Sequence, residues 1–274
     1  MAFKNILCAL APAAGKQAGA DFAASMGSAL EAHVTGCAYA IHPGLPGRGL
    51  PWFPDDIVKS HLAEVTKKAH LAVEEFNRSA KQAKAKSATE IIHASLDNAI
   101  TTFGEQARVY DVAVVTQSDR GLEHLGDLFA EAALFYSGRP LIVVPRDHES
   151  PFCLDRVLIA WDGSQHAAEA VAQAMPLLKN ATKIEVLVIG NKDKLEKTQA
   201  AKLVINLERH GLNVELISRD DPDDANAIAR EAKVWGATLL VMGGYGHSRA
   251  REIFFGGVTR FMMSETPLPV LMAN

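Results

Sequence analysis

The chain starts again shortly after its midpoint, and that restart limits the folds open to it. Lys4-Asn5-Ile6-Leu7-Cys8-Ala9-Leu10 resembles Asp155-Arg156-Val157-Leu158-Ile159-Ala160-Trp161. Each run is β-prone, follows a charged or polar lead-in, and precedes a small-residue loop and an alanine-rich helix. Apolar character without alternation suits a parallel strand covered on both faces. A length of 274 residues suits two such units. The charged, proline-bearing stretch from Pro145 to Pro151 is the predicted connection, giving domains at 1–150 and 151–274.

In the second half, Ser164 can cap a helix whose apolar stripe is Ala168, Val171, Met175 and Leu178. Lys183 to Ile189 reads as a strand with Ile184, Val186 and Val188 on one side. A helix is expected from about Asp193 to Arg209, closed by Gly211, then a strand from Leu212 to Ile217. Asp221 is expected to cap the next helix, with Pro222 in its first position and Asp223 and Asp224 at its positive end. Gly236 ends that helix. Thr238 to Met242 is a strand, and a helix near Ile253 to Ser264 and a strand from Pro269 to Met272 follow.

The first half repeats the order. Ala23, Met26 and Leu30 mark its first helix, and Ala32 to Ala40 a strand. A long helical region runs from about Asp56 to Lys84, Ala88 to His93 is a strand, and Ser95 is placed to cap the helix before Tyr110. Val112 to Thr116 and Leu141 to Val144 supply two more strands. A glycine- and proline-rich insertion near 43–55, ending in Pro51-Trp52-Phe53-Pro54, interrupts the pattern and resists regular structure. Its aromatics can dock on their own domain, plug a cleft or meet a partner. Strands alternating with helices predict an α/β fold: two tandem Rossmann-like domains, each with a parallel five-stranded sheet.

Charge excludes one function class. The 28 basic and 32 acidic residues divide almost evenly between the halves, so neither has the surplus expected of a nucleic-acid binder. Cys8, Cys37 and Cys153 form no paired spacing, which argues against structural zinc and fits a reducing, cytoplasmic setting. Cys8, in an apolar run, reads as a small buried hydrophobe. The start flows directly into a strand, without a leader-like segment. No stretch approaches the apolar length of a membrane span, so no membrane insertion is expected. His42, His61, His70 and His93 make no compact ligand motif, and no metal site is assigned.

Ligands of such folds favour the carboxyl ends of strands. Two loops there draw attention. After Met242 comes Gly243-Gly244-Tyr245-Gly246-His247-Ser248-Arg249-Ala250-Arg251, and later Gly256-Gly257-Val258-Thr259 at a helix start. Glycines let backbone amides approach an anion, and a helix amino terminus adds free N–H groups and a favourable dipole. Turn formation explains the same glycines, and the phosphate-loop lysine is absent. The second loop, Asp162-Gly163-Ser164, offers a carboxylate to sugar hydroxyls, with backbone near Ala160 and Val188 to enclose a base. Helix capping is its alternative role.

These residues resemble the universal stress protein family, and almost the whole chain looks like a tandem member of it. The family's nucleotide-binding branch has glycine, two residues, glycine, nine residues, then glycine and serine or threonine. Gly243, Gly246 and Gly256 match, Gly257 stands where a hydroxyl residue is expected, and Val258 and Thr259 match the continuation. Asp162 matches the acidic residue near adenine and ribose. The resemblance implies binding of ATP or another adenine nucleotide with a divalent ion such as Mg2+, weakened by the loss of one hydroxyl.

The first half departs from the pattern, with Ala11-Pro12-Ala13, Thr116-Gln117-Ser118-Asp119-Arg120-Gly121 and Asp127-Leu128 at the corresponding places. It reads as a degenerate domain. The expected function is a nucleotide-responsive stress protein acting on an unknown protein partner, with at most slow ATP hydrolysis and no assigned catalytic residue. The alternative is a non-nucleotide scaffold or small-molecule binder using the first domain and its insertion. Pairing of the terminal strands Pro140 to Val144 and Pro269 to Met272 would make an internal pseudo-dimer, and a further homodimer is compatible with it.

Overall fold

A computed structural model describes residues 2–11, 17–42, 55–118, 125–244 and 257–274. The first half runs β1 (Asn5–Leu10), α1 (Ala18–Leu30), β2 (His33–Ile41), α2 (Asp55–Ala83), β3 (Lys86–Ala94), α3 (Leu96–Ala107), β4 (Val112–Thr116), α4 (Leu125–Tyr136) and β5 (Leu141–Val144). The second half runs β6 (Arg156–Ala160), α5 (Gln165–Leu178), β7 (Lys183–Ile189), α6 (Lys192–Lys197), α7 (Ala200–Arg209), β8 (Val214–Arg219), α8 (Asp224–Trp235), β9 (Leu239–Gly243), α9 (Gly257–Glu265) and β10 (Val270–Ala273).

The ten strands among the described residues form one sheet, in the order β3-β2-β1-β4-β5-β10-β9-β6-β7-β8. Each half contributes five parallel strands in the same internal order, one run reversed against the other. The seam is antiparallel, with Val270 opposite Val143, Leu271 opposite Ile142 and Met272 opposite Leu141. All eight residues of β5 and β10 are buried. Two edges that would otherwise expose unpaired N–H and C=O groups satisfy each other. This is the expected internal pseudo-dimer, an α/β fold with helices on both faces.

The apolar runs divide by alternation, as strand geometry requires. Ile6, Cys8, Val157, Ile159, Val186, Val188 and Val241 face one buried layer, with helices α1, α2, α5 and α7. Leu7, Ala9, Leu158, Leu187, Ile189, Leu240 and Met242 face the other, with α3, α4, α8 and α9. The segment between β5 and β6 is fastened to α1. Ser25 Oγ accepts from Phe152 N at 2.7 Å, and Phe22 meets the rings of His148 and Phe152 edge-on at 5.7 and 5.5 Å.

Several local expectations change. The helix expected from Asp193 to Arg209 is broken into α6 and α7, where Gln199 takes a left-handed φ of 55°. Asp223, not Asp221, caps α8, accepting from Asn226 N at 3.1 Å. Asp221 instead accepts from Asp223 N and pairs with Arg230, and these bonds lower its pKa. Ser95 is at the N-cap position of α3 without a side-chain cap bond. On α5, Ala168 is exposed, and Ala167, Ala170, Val171, Ala174, Leu177 and Leu178 form the buried stripe. The described part of the last helix is Gly257–Glu265, and Trp52 and Phe53 lie outside the described residues.

Candidate functional site

The loop after β6 is shaped by two hydrogen bonds. Ser164 N donates to Asp162 Oδ1 at 2.9 Å, and Ala167 N donates to Ser164 Oγ at 3.1 Å, capping α5. Gly163 bends the loop with φ of 79°, and a Cβ there would stand 2.9 Å from Thr198 Cα. On the same side, Trp161 Nε1 donates to Thr198 O at 2.9 Å, tying α6 to this loop.

At the end of β9, Gly243 passes against the start of α5. A Cβ on it would lie 2.6 Å from Ala167 N and 2.7 Å from the His166 carbonyl carbon, so only glycine fits without a shift. Gly244 donates its N–H to Ala273 O at 2.8 Å and packs against Leu134 of the first half. Around Gly257, the first described residue of α9, no atom of the described residues outside its own helix turn lies within 4 Å of where a Cβ would stand.

These pieces border one cleft at the carboxyl ends of β6, β7 and β9. Its walls are Ala160, Leu187, Ile189, Ile228, Met242 and Val258, and its rim carries Trp161, Asp162, Ser164, His166, Lys194, Asp224 and Gly243. The cavity measures about 100 Å³. Small-molecule pockets usually span about 300–1,000 Å³, so these walls enclose only part of a nucleotide-sized ligand. Two carboxylates and one ammonium line it, with Lys194 Nζ 3.4 Å from Asp224 Oδ2. The described walls include no arginine.

Of the residues singled out in the sequence, Ala160, Asp162, Met242, Gly243 and Val258 meet at this cleft. Gly163 supports its loop from outside. Val188 is fully buried in the opposite layer, and its neighbours Leu187 and Ile189 line the cleft instead. Thr259 is buried on α9 and does not itself line the cleft, and Gly257 is exposed beside Val258. Gly246 and Gly256 lie outside the described residues, as do Arg249 and Arg251. Sequence reasoning missed Trp161, His166, Leu187, Ile189, Lys194, Asp224 and Ile228. The sequence puts Val188 on the side of β7 shared by Ile184 and Val186, and it is the other side, with Leu187 and Ile189, that faces the cleft.

The corresponding place in the first half is filled. By strand pairing, Ala9 opposite Cys37 matches Ala160 opposite Leu187, so Tyr39 matches Ile189. Counting back from Pro140 and Pro269, Phe129 on α4 matches Val258 on α9. Tyr39, Phe103 and Phe129 are buried together, with centroids 4.9 Å apart for Tyr39–Phe129 and 5.2 Å for Phe103–Phe129. Tyr39 OH donates to Gln106 Oε1 at 2.8 Å, and burial drives its pKa upward. The first turn of α4 is also engaged from within, since Asp127 N donates to Ser118 Oγ at 2.9 Å. Among the described residues no group of three or more His, Cys, Asp or Glu side chains is placed to hold a metal ion. No described helix is long and apolar enough to cross a membrane.

Residues 154–274 match the sequence profile of the universal stress protein family, so the second half carries a domain of that family. A curated relative, universal stress protein Slr1230 of Synechocystis sp. (strain ATCC 27184 / PCC 6803 / Kazusa), is 28% identical over 139 residues. That match covers 48% of this chain and 46% of the relative, so the chain spans less than half of the relative's length. Among solved structures, a universal stress protein from Archaeoglobus fulgidus DSM 4304 superposes with a TM-score of 0.68 at 17% identity, covering 98% of both chains. A functionally unknown protein from Pseudomonas aeruginosa PAO1 gives a TM-score of 0.63 at 12% identity, covering 99% of this chain and 92% of that one. At such identities the structural likeness speaks for the fold.

Proposed function

We propose that the chain is a stress-response protein that binds one adenine nucleotide, in its second half, with the first half serving as a folded partner domain. The reading takes 1–150 and 151–274 as the two domains. One observation carries it: the cleft bounded by Asp162, Gly243 and Val258 is open, and its first-half counterpart is packed with Tyr39 and Phe129.

The residues fit such a ligand in kind. A flat base can lie against Leu187, Ile189, Ile228 and Met242, where apolar contact favours it. Asp162 spends one oxygen on Ser164 N and has the other to accept from ribose hydroxyls. Gly243, which has no room for a Cβ, keeps the backbone close to the start of α5. The exposed beginning of α9 at Gly257 offers amides and a positive dipole end to phosphate. With two carboxylates against one ammonium in the described walls, a triphosphate gains from Mg2+ to offset repulsion. Binding that biases the surrounding surface toward a protein partner is the function favoured here.

Calorimetric titration of nucleotide-free protein with Mg-ATP, ADP, AMP and GTP tests this. Saturation near one adenine nucleotide per chain, lost in Asp162→Ala, supports the reading. Folded protein that binds none of them shifts the preference to a scaffold or small-molecule binder acting through the first half.

A further inference from the structure

Lys194 is held in place more firmly than a surface lysine requires. Asn191 Oδ1 accepts from its backbone N at 3.0 Å. Gly190, with φ of 142°, clears the path of its stem, because a Cβ there would run into the Lys194 side chain. Its head pairs with Asp224, the first residue of α8. The far end of α6 is fixed through Trp161 and Thr198. Without these supports a six-residue helix would be marginal.

The order of strands gives this pair a place along the ligand. From one flank to the other the sheet runs β9-β6-β7-β8. Gly243 ends β9, Asp162 follows β6, Lys194 follows β7 and Asp224 follows β8. These three strand intervals span about 14 Å. A nucleotide with phosphate beside Gly243 and α9, and ribose at Asp162, directs its base toward β7 and β8. The base then meets Leu187, Ile189 and Ile228 with its face, and Lys194 and Asp224 with its edge.

We propose that the Lys194–Asp224 pair reads the purine edge, with Asp224 accepting from a 6-amino group and Lys194 donating to a ring nitrogen. The proposal rests on the nucleotide reading above. An ammonium has three donors and a carboxylate about four lone-pair sites, so both can serve a ligand without parting. A 6-oxo purine instead turns an acceptor toward the carboxylate. A site built for a donor rejects a ligand that lacks it, because its own polar group is left unpaired.

The test is titration of the full chain with Mg-ATP and Mg-ITP, which differ in the 6-substituent and in the hydrogen that N1 carries in ITP. Wild type is expected to prefer ATP. Asp224→Asn, whose amide can donate to a 6-oxo group, is expected to cut the ATP-to-ITP affinity ratio by about tenfold. Lys194→Met is expected to weaken ATP severalfold, with the melting temperature of both variants reporting intact folding. A ratio unchanged in Asp224→Asn and ATP binding unchanged in Lys194→Met overturn base reading by this pair while leaving the nucleotide site standing. Wild type that binds neither nucleotide removes the parent reading, and this one with it.

Discussion

Gly19 N donates to Thr116 Oγ1 at 3.1 Å, and the space that a Cβ on Gly19 would need is taken by that hydroxyl. In the second half Gly243 holds the place of Thr116 at the strand end, and the start of α5 runs so close that a Cβ on Gly243 would lie 2.6 Å from Ala167 N. The first half keeps the threonine and has the glycine on its helix, whereas the second half has the glycine on its strand. Gly19→Ala should therefore destabilise by about 1–3 kcal/mol through overpacking. Thr116→Gly should relieve part of that loss, and the coupling is measured by a double-mutant cycle in urea.

Gly257→Ser should leave stability within about 0.5 kcal/mol, because among the described residues nothing crowds the new side chain. Its hydroxyl should strengthen nucleotide binding by about 0.5–1.5 kcal/mol. Paired thermal melts and titrations separate the two effects. A stable variant with unchanged affinity would mean that the phosphate lies out of reach.

Phe129→Ala should cost about 3–5 kcal/mol, as expected for emptying a packed aromatic site. It should not create a second nucleotide site, since Ala11 stands where the second half has Asp162. Denaturation midpoints and binding stoichiometry of the same sample check both statements.

Glu185 gives a pH prediction. Only 6% exposed, it lies between Leu158 and Glu215 on the flanking strands, and burial raises its pKa above the ordinary carboxylate value. An acid with a raised folded pKa favours folding below its unfolded pKa, and that contribution is lost as pH rises through the folded value. Glu185→Gln should accordingly melt higher than wild type at pH 8, with the gap closing toward pH 4. Equal gaps at both pH values would contradict the assignment.

Thiol labelling should divide the cysteines. Cys8 is fully buried, and burial holds the Cys37 thiol up to about 12, so neither supplies thiolate at neutral pH. Cys153 is only half-buried. Maleimide at pH 7 should modify Cys153 first, with the other two reacting after denaturation, as peptide mass spectrometry would reveal.

The fold was legible because its signals are local and repeated. The runs at Lys4–Leu10 and Asp155–Trp161, and the glycine stops at Gly211 and Gly236, all sit where the strands and helix ends form. Asp162 and Gly243 were legible for the same reason, each following a strand directly. The far side of the cleft was not. Lys194 and Asp224 lie 30 residues apart and meet only because β7 and β8 are neighbours. The break at Gln199 left little mark either, since its neighbours other than Thr198 favour helix. Nothing in the sequence marks Phe129 and Tyr39 as neighbours, and only their meeting makes them a plug.

Because the central seam is antiparallel, the carboxyl ends of the strands face opposite ways in the two halves. Strands of the first half discharge their connecting segments at one end of the sheet, and those of the second half at the other. A partner gripping segments that leave β2 or β4 would stand a full strand length away from a nucleotide beside Asp162. Any influence between them must travel along the strands or through the seam, where Gly244 leans on Leu134. Two ligands held at the carboxyl strand ends of the two halves would thus be kept apart rather than brought into contact.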